Sequence, residues 1–173
     1  MIFIGKILCL NQLKSEIALR RTGGWRTVFT NGCFDLLHPG HVRLLQAARK
    51  LGDALVVAVN DDCSVQHLKG KLRPLIPAPY RAEMLAALEC VDYVVIFGEL
   101  TPEKIIAEIR PEIYVKAGYR REELPEIALV ESYGGRIVLF PLLTGYSTTG
   151  IIALILIRYF HLCSPVSFPV SNR

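Results

Sequence analysis

The stretch T-N-G-C-F-D-L-L-H-P-G-H, residues 30–41, decides how the rest of the chain is read. It follows the short apolar run Thr27, Val28 and Phe29, which reads as a buried strand. It precedes residues 42–51, which read as a helix. Two histidines, His38 and His41, therefore sit in a strand-to-helix connection with Pro39 and Gly40 between them. Proline lacks an N–H and is tolerated in the first helical turn, so the helix is expected to begin here. The N–H groups of a helix start have no intrahelical partner, and the helix dipole places partial positive charge beside them. Gly32 lets a bulky anion approach the backbone after the strand. These features predict a phosphate cradle flanked by two imidazoles.

Other readings of the same residues are weaker. A metal-binding His pair favours a helical i, i+4 spacing, which the Pro-Gly insert spoils, and no third ligand is obvious. Two histidines hydrogen-bonded inside a core would account for the pair but not for the surrounding string. A dinucleotide loop would need G-x-G-x-x-G at this junction, and none is present. Cys33 lies inside the motif, yet no chemistry suggested here requires a thiol nucleophile.

Outward from the motif the pattern alternates. Residues 1–24 read as a lead-in helix with Leu10, Leu13 and Ile17 on one face. After the motif helix, with Val42, Leu45, Ala48 and Leu51 toward the core, residues 55–59 form an unbroken apolar run, as expected of a parallel strand buried on both faces. Residues 60–75 are polar and basic and are expected to form a mobile loop carrying Lys69 and Arg73. Pro77 and Pro79 mark the next helix, with Met84, Leu85 and Leu88 as core, and residues 93–97 the third strand. Thr101-Pro102-Glu103 reads as a helix start, ended near Arg110 by Pro111. A short strand at 113–115 leads into Lys116-Ala117-Gly118, a helix follows Pro125, and residues 137–140 form the fifth strand. Ser147-Thr148-Thr149 caps a last helix running to about Tyr159.

Five strands alternating with helices predict an α/β, Rossmann-like, doubly wound parallel sheet in a single domain. The expected division is 1–24 lead-in helix, 25–160 catalytic domain and 161–173 flexible tail. In such sheets ligands bind beyond the carboxyl ends of the strands. The motif, Asn60 with Asp61, Lys116 and the Ser-Thr-Thr cap all follow strands, so they are expected to gather on one rim.

Composition narrows the class. At 173 residues there is room for one substantial core. The net charge of +4 is modest for nucleic-acid binding and comfortable for small polyanions. The five cysteines are odd in number and contain no C-x-x-C, which argues against a disulfide framework or a zinc cluster and for the cytosol. The apolar start lacks the basic region and small-residue site of a signal peptide. The apolar run 151–157 stops at Arg158, far short of the roughly 20 residues that span a bilayer. A hydrophobic content of 51% leads to the expectation of a homodimer.

Such a rim suits phosphoryl or nucleotidyl transfer, which asks mainly for positioning and neutralised charge. A phosphate monoester nucleophile is already largely anionic at pH 7, its second pKa being about 6, so no general base is required. His38 and His41 would donate to the phosphate under attack, and main-chain N–H groups around Gly32, Cys33 and Phe34 would hold it. Asp35 is expected to cap the motif helix or orient His38. Ser147, Thr148 and Thr149 would seat the outer phosphates, and Lys69 and Arg73 would close over them. Mg²⁺ is expected with the nucleotide, with no protein metal ligand assigned.

The whole string resembles the H-x-G-H motif of the nucleotidyltransferase superfamily, on its sugar-phosphate and alcohol-phosphate branch. With L-G-D-x-L-V-V-A-V-N-x-D, L-K-G-x-x-R-P, A-L-E-x-V-D-Y-V-V and S-T-T-x-I-I, it is similar to heptose 1-phosphate adenylyltransferases over roughly residues 10–157. The resemblance implies ATP, Mg²⁺ and D-glycero-β-D-manno-heptose 1-phosphate giving ADP-heptose and pyrophosphate in the cytoplasm. It implies His38, His41 and Lys69 as catalytic residues. Thr30, Asn31, Gly32, Cys33, Phe34, Asn60, Arg73, Lys116 and Ser147, Thr148 and Thr149 would then bind nucleotide or phosphate. The chain departs from that pattern after the fourth strand, where Lys116-Ala117-Gly118-Tyr119 replaces K-G-G-D-Y. No sugar-kinase stretch occurs in these residues, so the phosphorylated acceptor is expected from another protein. Two alternatives stand beside this reading: a cytidylyltransferase for glycerol 3-phosphate or ethanolamine phosphate, and a nucleotide-binding regulatory protein without turnover.

Overall fold

The structure, a computed structural model, describes residues 4–160. The tail 161–173, with Cys163, lies outside the described residues. In chain order the elements are α1 (Leu10–Thr22), β1 (Thr27–Gly32), α2 (Pro39–Arg49), β2 (Ala54–Asn60), α3 (Asp62–Lys69) and α4 (Ala78–Ala86). Then follow β3 (Tyr93–Phe97), α5 (Glu103–Ile109), β4 (Ile113–Ala117), α6 (Ile127–Ser132), β5 (Arg136–Phe140) and α7 (Thr148–Tyr159).

The five strands form one parallel sheet in the order β3-β2-β1-β4-β5, the expected doubly wound arrangement. Strand periodicity explains its two covered faces. Along β2, Leu55, Val57 and Val59 pack with Leu45 and Ala48 of α2 and with Ala82, Leu85 and Ala86 of α4. The alternate residues Ala54, Val56 and Ala58 pack with Leu13 and Ile17 of α1, with Ile105, Ile106 and Ile109 of α5, and with Val130 of α6. All seven residues of β2 are buried, as its unbroken apolar run requires.

The chain winds outward from β1 through β2 to β3, then returns to place β4 on the other side of β1. That reversal is the point where such sheets hold ligands. The register shows the opening. β1 pairs with β2 from Thr27 to Gly32, but with β4 only at Val28 and Phe29. Past Phe29 the ladder between the two strands stops, and Lys116 Nζ reaches across to Asn31 Oδ1 at 3.0 Å.

Three expectations are corrected. Residues 62–69 are not loop but α3, started by Asp61, whose Oδ1 accepts from the Ser64 N–H at 2.7 Å. The N-cap bond and an inward-facing Ser64–Val65 pair support a helix that polar composition conceals. α5 begins at Glu103, after Pro102, and the Thr101 hydroxyl bonds the Glu103 side chain instead of capping the backbone. The expected core position Met84 is only half-buried, whereas Leu85 is fully buried.

Candidate active site

The motif loop leaves β1 through Phe34, which has φ of 48°, a left-handed conformation unusual for a bulky residue. The Phe34 ring is buried and meets the His41 ring at a centroid distance of 5.2 Å. α2 starts at Pro39, as the proline predicted, with His38 in the N-cap position. His38 makes no side-chain capping bond, so its ring is free to stack on His41, 3.8 Å between centroids. Gly40 permits this, because a Cβ there would lie 3.0 Å from the His38 ring.

Nδ1 of both histidines is buried and lacks a hydrogen-bond partner of sound geometry among the described residues. Buried polar atoms in native proteins are normally paired, so two orphans in one motif call for a partner. Burial lowers the His38 pKa below the usual imidazole value. Burial, and then the neighbouring His38, push His41 down to about 4, against an opposing pull from the Leu36 backbone. Both rings are therefore neutral near pH 7, presenting hydrogen-bonding capacity without a fixed charge.

Charge is supplied by a ring of cations. Burial pushes the Cys33 thiol pKa up, while Lys69, Arg81, Arg73 and Lys116 all pull it down. A raised pKa keeps Cys33 protonated, which does not favour a nucleophile. Its value as a reporter is that four cations surround the motif loop. Two of them are matched: Arg73 pairs with buried Asp35, and Arg81 with Asp62. Among the described residues Lys69 and Lys116 form no ion pair. Lys116 is buried, donates to Asn31 Oδ1 at 3.0 Å, and lies 5.0 Å from the centre of the Tyr119 ring. Burial lowers its pKa, while Glu126 and Cys33 raise it. A buried ammonium with only amide and ring partners is poised for an anion.

Asp35 neither caps α2 nor reaches His38, contrary to expectation. Its Oδ1 accepts from the N–H groups of Leu75 at 2.7 Å and Ile76 at 2.9 Å, and its Oδ2 binds Arg73. It therefore anchors the segment after α3 to the motif loop. Arg73 lies on the connection between α3 and α4, as expected, but is pinned to Asp35, whereas Lys69 ends a helix.

Thr30 and Asn60 stand toward the carboxyl ends of β1 and β2. Both are buried, and Asn60 Nδ2 reaches the Glu99 carbonyl at 3.4 Å. Ser147 Oγ accepts from the Gly150 N–H at 2.9 Å, a true N-cap that leaves Thr148 and Thr149 at an open helix start. The loop before it passes over the site: Leu142 fills the space a Cβ at Gly118 (φ 75°) would occupy, and Leu143 lies beside Gly40. No hydrogen bond joins residues 147–149 to the motif loop among the described residues.

Three contributors were not foreseen. Tyr114 bonds Glu126 and lies 3.0 Å from Asn31 Oδ1, continuing the Lys116 network inward. Arg81 is wholly buried and bonds the Cys33 carbonyl. Its signal was legible, since it shares the helical stripe of Ala78, Ala82, Leu85 and Ala86, where a charge must have a buried partner. Among the described residues no three His, Cys, Asp or Glu side chains gather as metal ligands.

A cytidylyltransferase-like family model matches residues 29–135. The chain is 53% identical over 155 residues to the bifunctional protein HldE of Syntrophotalea carbinolica, covering 89% of this chain and 32% of that protein. It is 53% identical over 148 residues to HldE of Trichlorobacter lovleyi, covering 85% of this chain and 30% of the relative. The chain thus spans about a third of the length of these curated relatives. A solved lipopolysaccharide core biosynthesis protein from Thermoplasma volcanium superposes with a TM-score of 0.57 and 27% identity, over 71% of this chain and 99% of that one. Pantoate-β-alanine ligase from Francisella tularensis shares the fold, with a TM-score of 0.60 at 14% identity over 97% of this chain and 82% of that one. Motif, sheet and matched span agree: the chain belongs to the cytidylyltransferase-like family of nucleotidyltransferases.

Proposed function

We propose that this chain transfers AMP from ATP to D-glycero-β-D-manno-heptose 1-phosphate, releasing pyrophosphate and forming ADP-heptose. The carrying observation is the stacked, neutral His38–His41 pair with buried Nδ1 atoms that lack a partner, on a motif loop whose Cys33 senses Lys69 and Lys116, two cations that lack carboxylate partners. An anionic oxygen of the acceptor phosphate attacks the α-phosphorus, and the bond to the bridging oxygen of the pyrophosphate breaks. No proton need be removed, which suits a site whose nearest carboxylates are already engaged: Asp35 with Arg73, Asp62 with Arg81. His38 and His41 donate to the α-phosphate oxygens as charge grows there, Lys116 holds an anionic oxygen, and Lys69 and Arg73 face the departing pyrophosphate.

Those engaged carboxylates fit a Mg²⁺ held by phosphate oxygens and water, and such an ion would neutralise charge on the phosphates. The motifs shared with heptose 1-phosphate adenylyltransferases, beside a likeness to a lipopolysaccharide core biosynthesis protein, favour a heptose acceptor. The same proposal has the protein act in the cytoplasm as a homodimer, the latter resting on its 51% hydrophobic content. No helix among the described residues is long and apolar enough to cross a membrane.

The family description favours one second reading, cytidylyl transfer to an alcohol phosphate. Pyrophosphate release separates the two when heptose 1-phosphate, other sugar 1-phosphates, glycerol 3-phosphate and ethanolamine phosphate are each tried with ATP and CTP. Turnover of heptose 1-phosphate with ATP, and none of free heptose, is expected. Turnover of an alcohol phosphate with CTP alone would replace the substrate assignment. ATP binding without turnover of any acceptor would leave a regulatory protein.

A further inference from the structure

Arg81 ranks first by volume among the fully buried side chains of the described residues. Each guanidinium nitrogen has its own partner. Nε donates to the Ile76 carbonyl at 2.8 Å, Nη2 to Asp62 Oδ1 at 2.7 Å, and Nη1 to the Cys33 carbonyl. Asp62 Oδ1 also accepts from the Ala78 N–H at 2.8 Å, and the Ile76 N–H is held by Asp35. A closed circuit of bonds thus joins the motif loop, the start of α3 and the segment leading into α4.

The bond to Cys33 acts on a particular peptide plane. In a trans peptide the C=O and the next N–H point in opposite directions. With the Cys33 oxygen drawn toward α4, the Phe34 N–H is turned away from Arg81. That N–H has no hydrogen-bond partner among the described residues. The orientation has a cost, because Phe34 must keep its φ of 48°. Rotating the plane would relieve Phe34, but it would swing a carbonyl oxygen to where the N–H now points and oppose any phosphate there.

We propose that Arg81 is a positioning residue that locks the Cys33–Phe34 peptide with its N–H toward the bound phosphate, making the motif loop an anion hole. The identity of the anion as a nucleotide phosphate rests on the nucleotidyl-transfer reading; the locked orientation does not. A residue that only anchored α4 would affect folding without changing how Phe34 responds to an anion.

The experiment uses inorganic tripolyphosphate, which binds without reacting, and amide NMR of the whole chain. In the wild type the Phe34 amide proton is expected to move downfield on titration, as a new charge-assisted hydrogen bond requires. Arg81→Lys cannot bond three groups at once. If folded, it should lose that response and bind tripolyphosphate about tenfold more weakly, the effect of one lost bond to a charged group. A folded Arg81→Lys with wild-type affinity and an intact Phe34 response overturns the proposal. If Arg81→Lys does not fold, Asp62→Asn decides, since its side chain is 41% exposed and the change keeps its volume. A diminished Phe34 response in Asp62→Asn supports the lock, and a response equal to wild type overturns it. A wild type that shows the Phe34 response yet releases no pyrophosphate with any acceptor overturns the reaction and leaves the orientation standing.

Discussion

At the scale of single residues, the motif histidines are set by neighbours the string itself supplies. Gly40 leaves room for the His38 ring, and the buried Phe34 ring packs against His41. Replacing His41 or His38 with Asn should lower kcat by two to three orders of magnitude, about 3–4 kcal/mol of transition-state stabilisation, with ATP affinity little changed. Steady-state kinetics beside calorimetric binding checks this, and near-normal kcat in either variant would remove that histidine from the mechanism. The same burial predicts a pH effect on stability. His41 titrates at about 4 when folded, below the ordinary imidazole value near 6.5. The unfolded chain therefore takes up this proton first as pH falls. Stability is complete above about 6.5 and is lost progressively toward about 4, and denaturation midpoints for His41→Asn should fall less over that window. The histidines were legible because the string around them is long and specific. The role of Asp35 was not, since its partners Arg73, Leu75 and Ile76 lie some forty positions away and only the fold brings them together.

At the scale of elements, α3 is the informative difference between pattern and structure. Residues 62–69 carry few apolar side chains and a basic end, which reads as loop, yet Asp61 supplies an N-cap and Val65 a buried anchor. The central strands were legible for the opposite reason. β2 is buried on both faces and so is apolar throughout, a pattern few other environments produce. α7 was legible from its Ser147 cap, although none of its residues is buried and its apolar composition does not reveal what it packs against. The α3 assignment makes a firm prediction. In the free protein, amides of residues 65–69 should be protected from hydrogen exchange. Asp61→Ala should destabilise the helix by about 1 kcal/mol, raising their exchange several-fold. Free-protein exchange in this segment as fast as in an open chain would return it to a loop.

At the scale of the whole molecule, the net charge is a modest +4, so the placement of individual cations matters more than their sum. Several cations on the helical layers are matched: Lys14 with Glu108, Arg21 with Glu112, Lys104 with Glu99, Arg121 with Glu131. At the rim, Lys69 and Lys116 have no ion-pair partner among the described residues, and Arg73 and Arg81 stand behind them. All four cations act on Cys33 in the motif loop, at the carboxyl ends of the strands where such sheets hold ligands. Exposed charges lose most of their reach beyond about 10 Å at 0.1 M salt, so the contribution of exposed Lys69 should be screened, while that of buried Lys116 should persist. ATP affinity measured by calorimetry should therefore fall as ionic strength rises. Lys69→Gln should weaken binding about three- to fivefold at low salt, flatten the dependence, and approach wild type at high salt. Lys14→Gln removes the same formal charge from a matched pair distant from the motif and should leave the curve unchanged. Parallel curves for wild type and Lys69→Gln would mean that Lys69 does not sense the phosphates. The electrostatic share of binding would then fall to Lys116 and to the N–H groups of the motif loop.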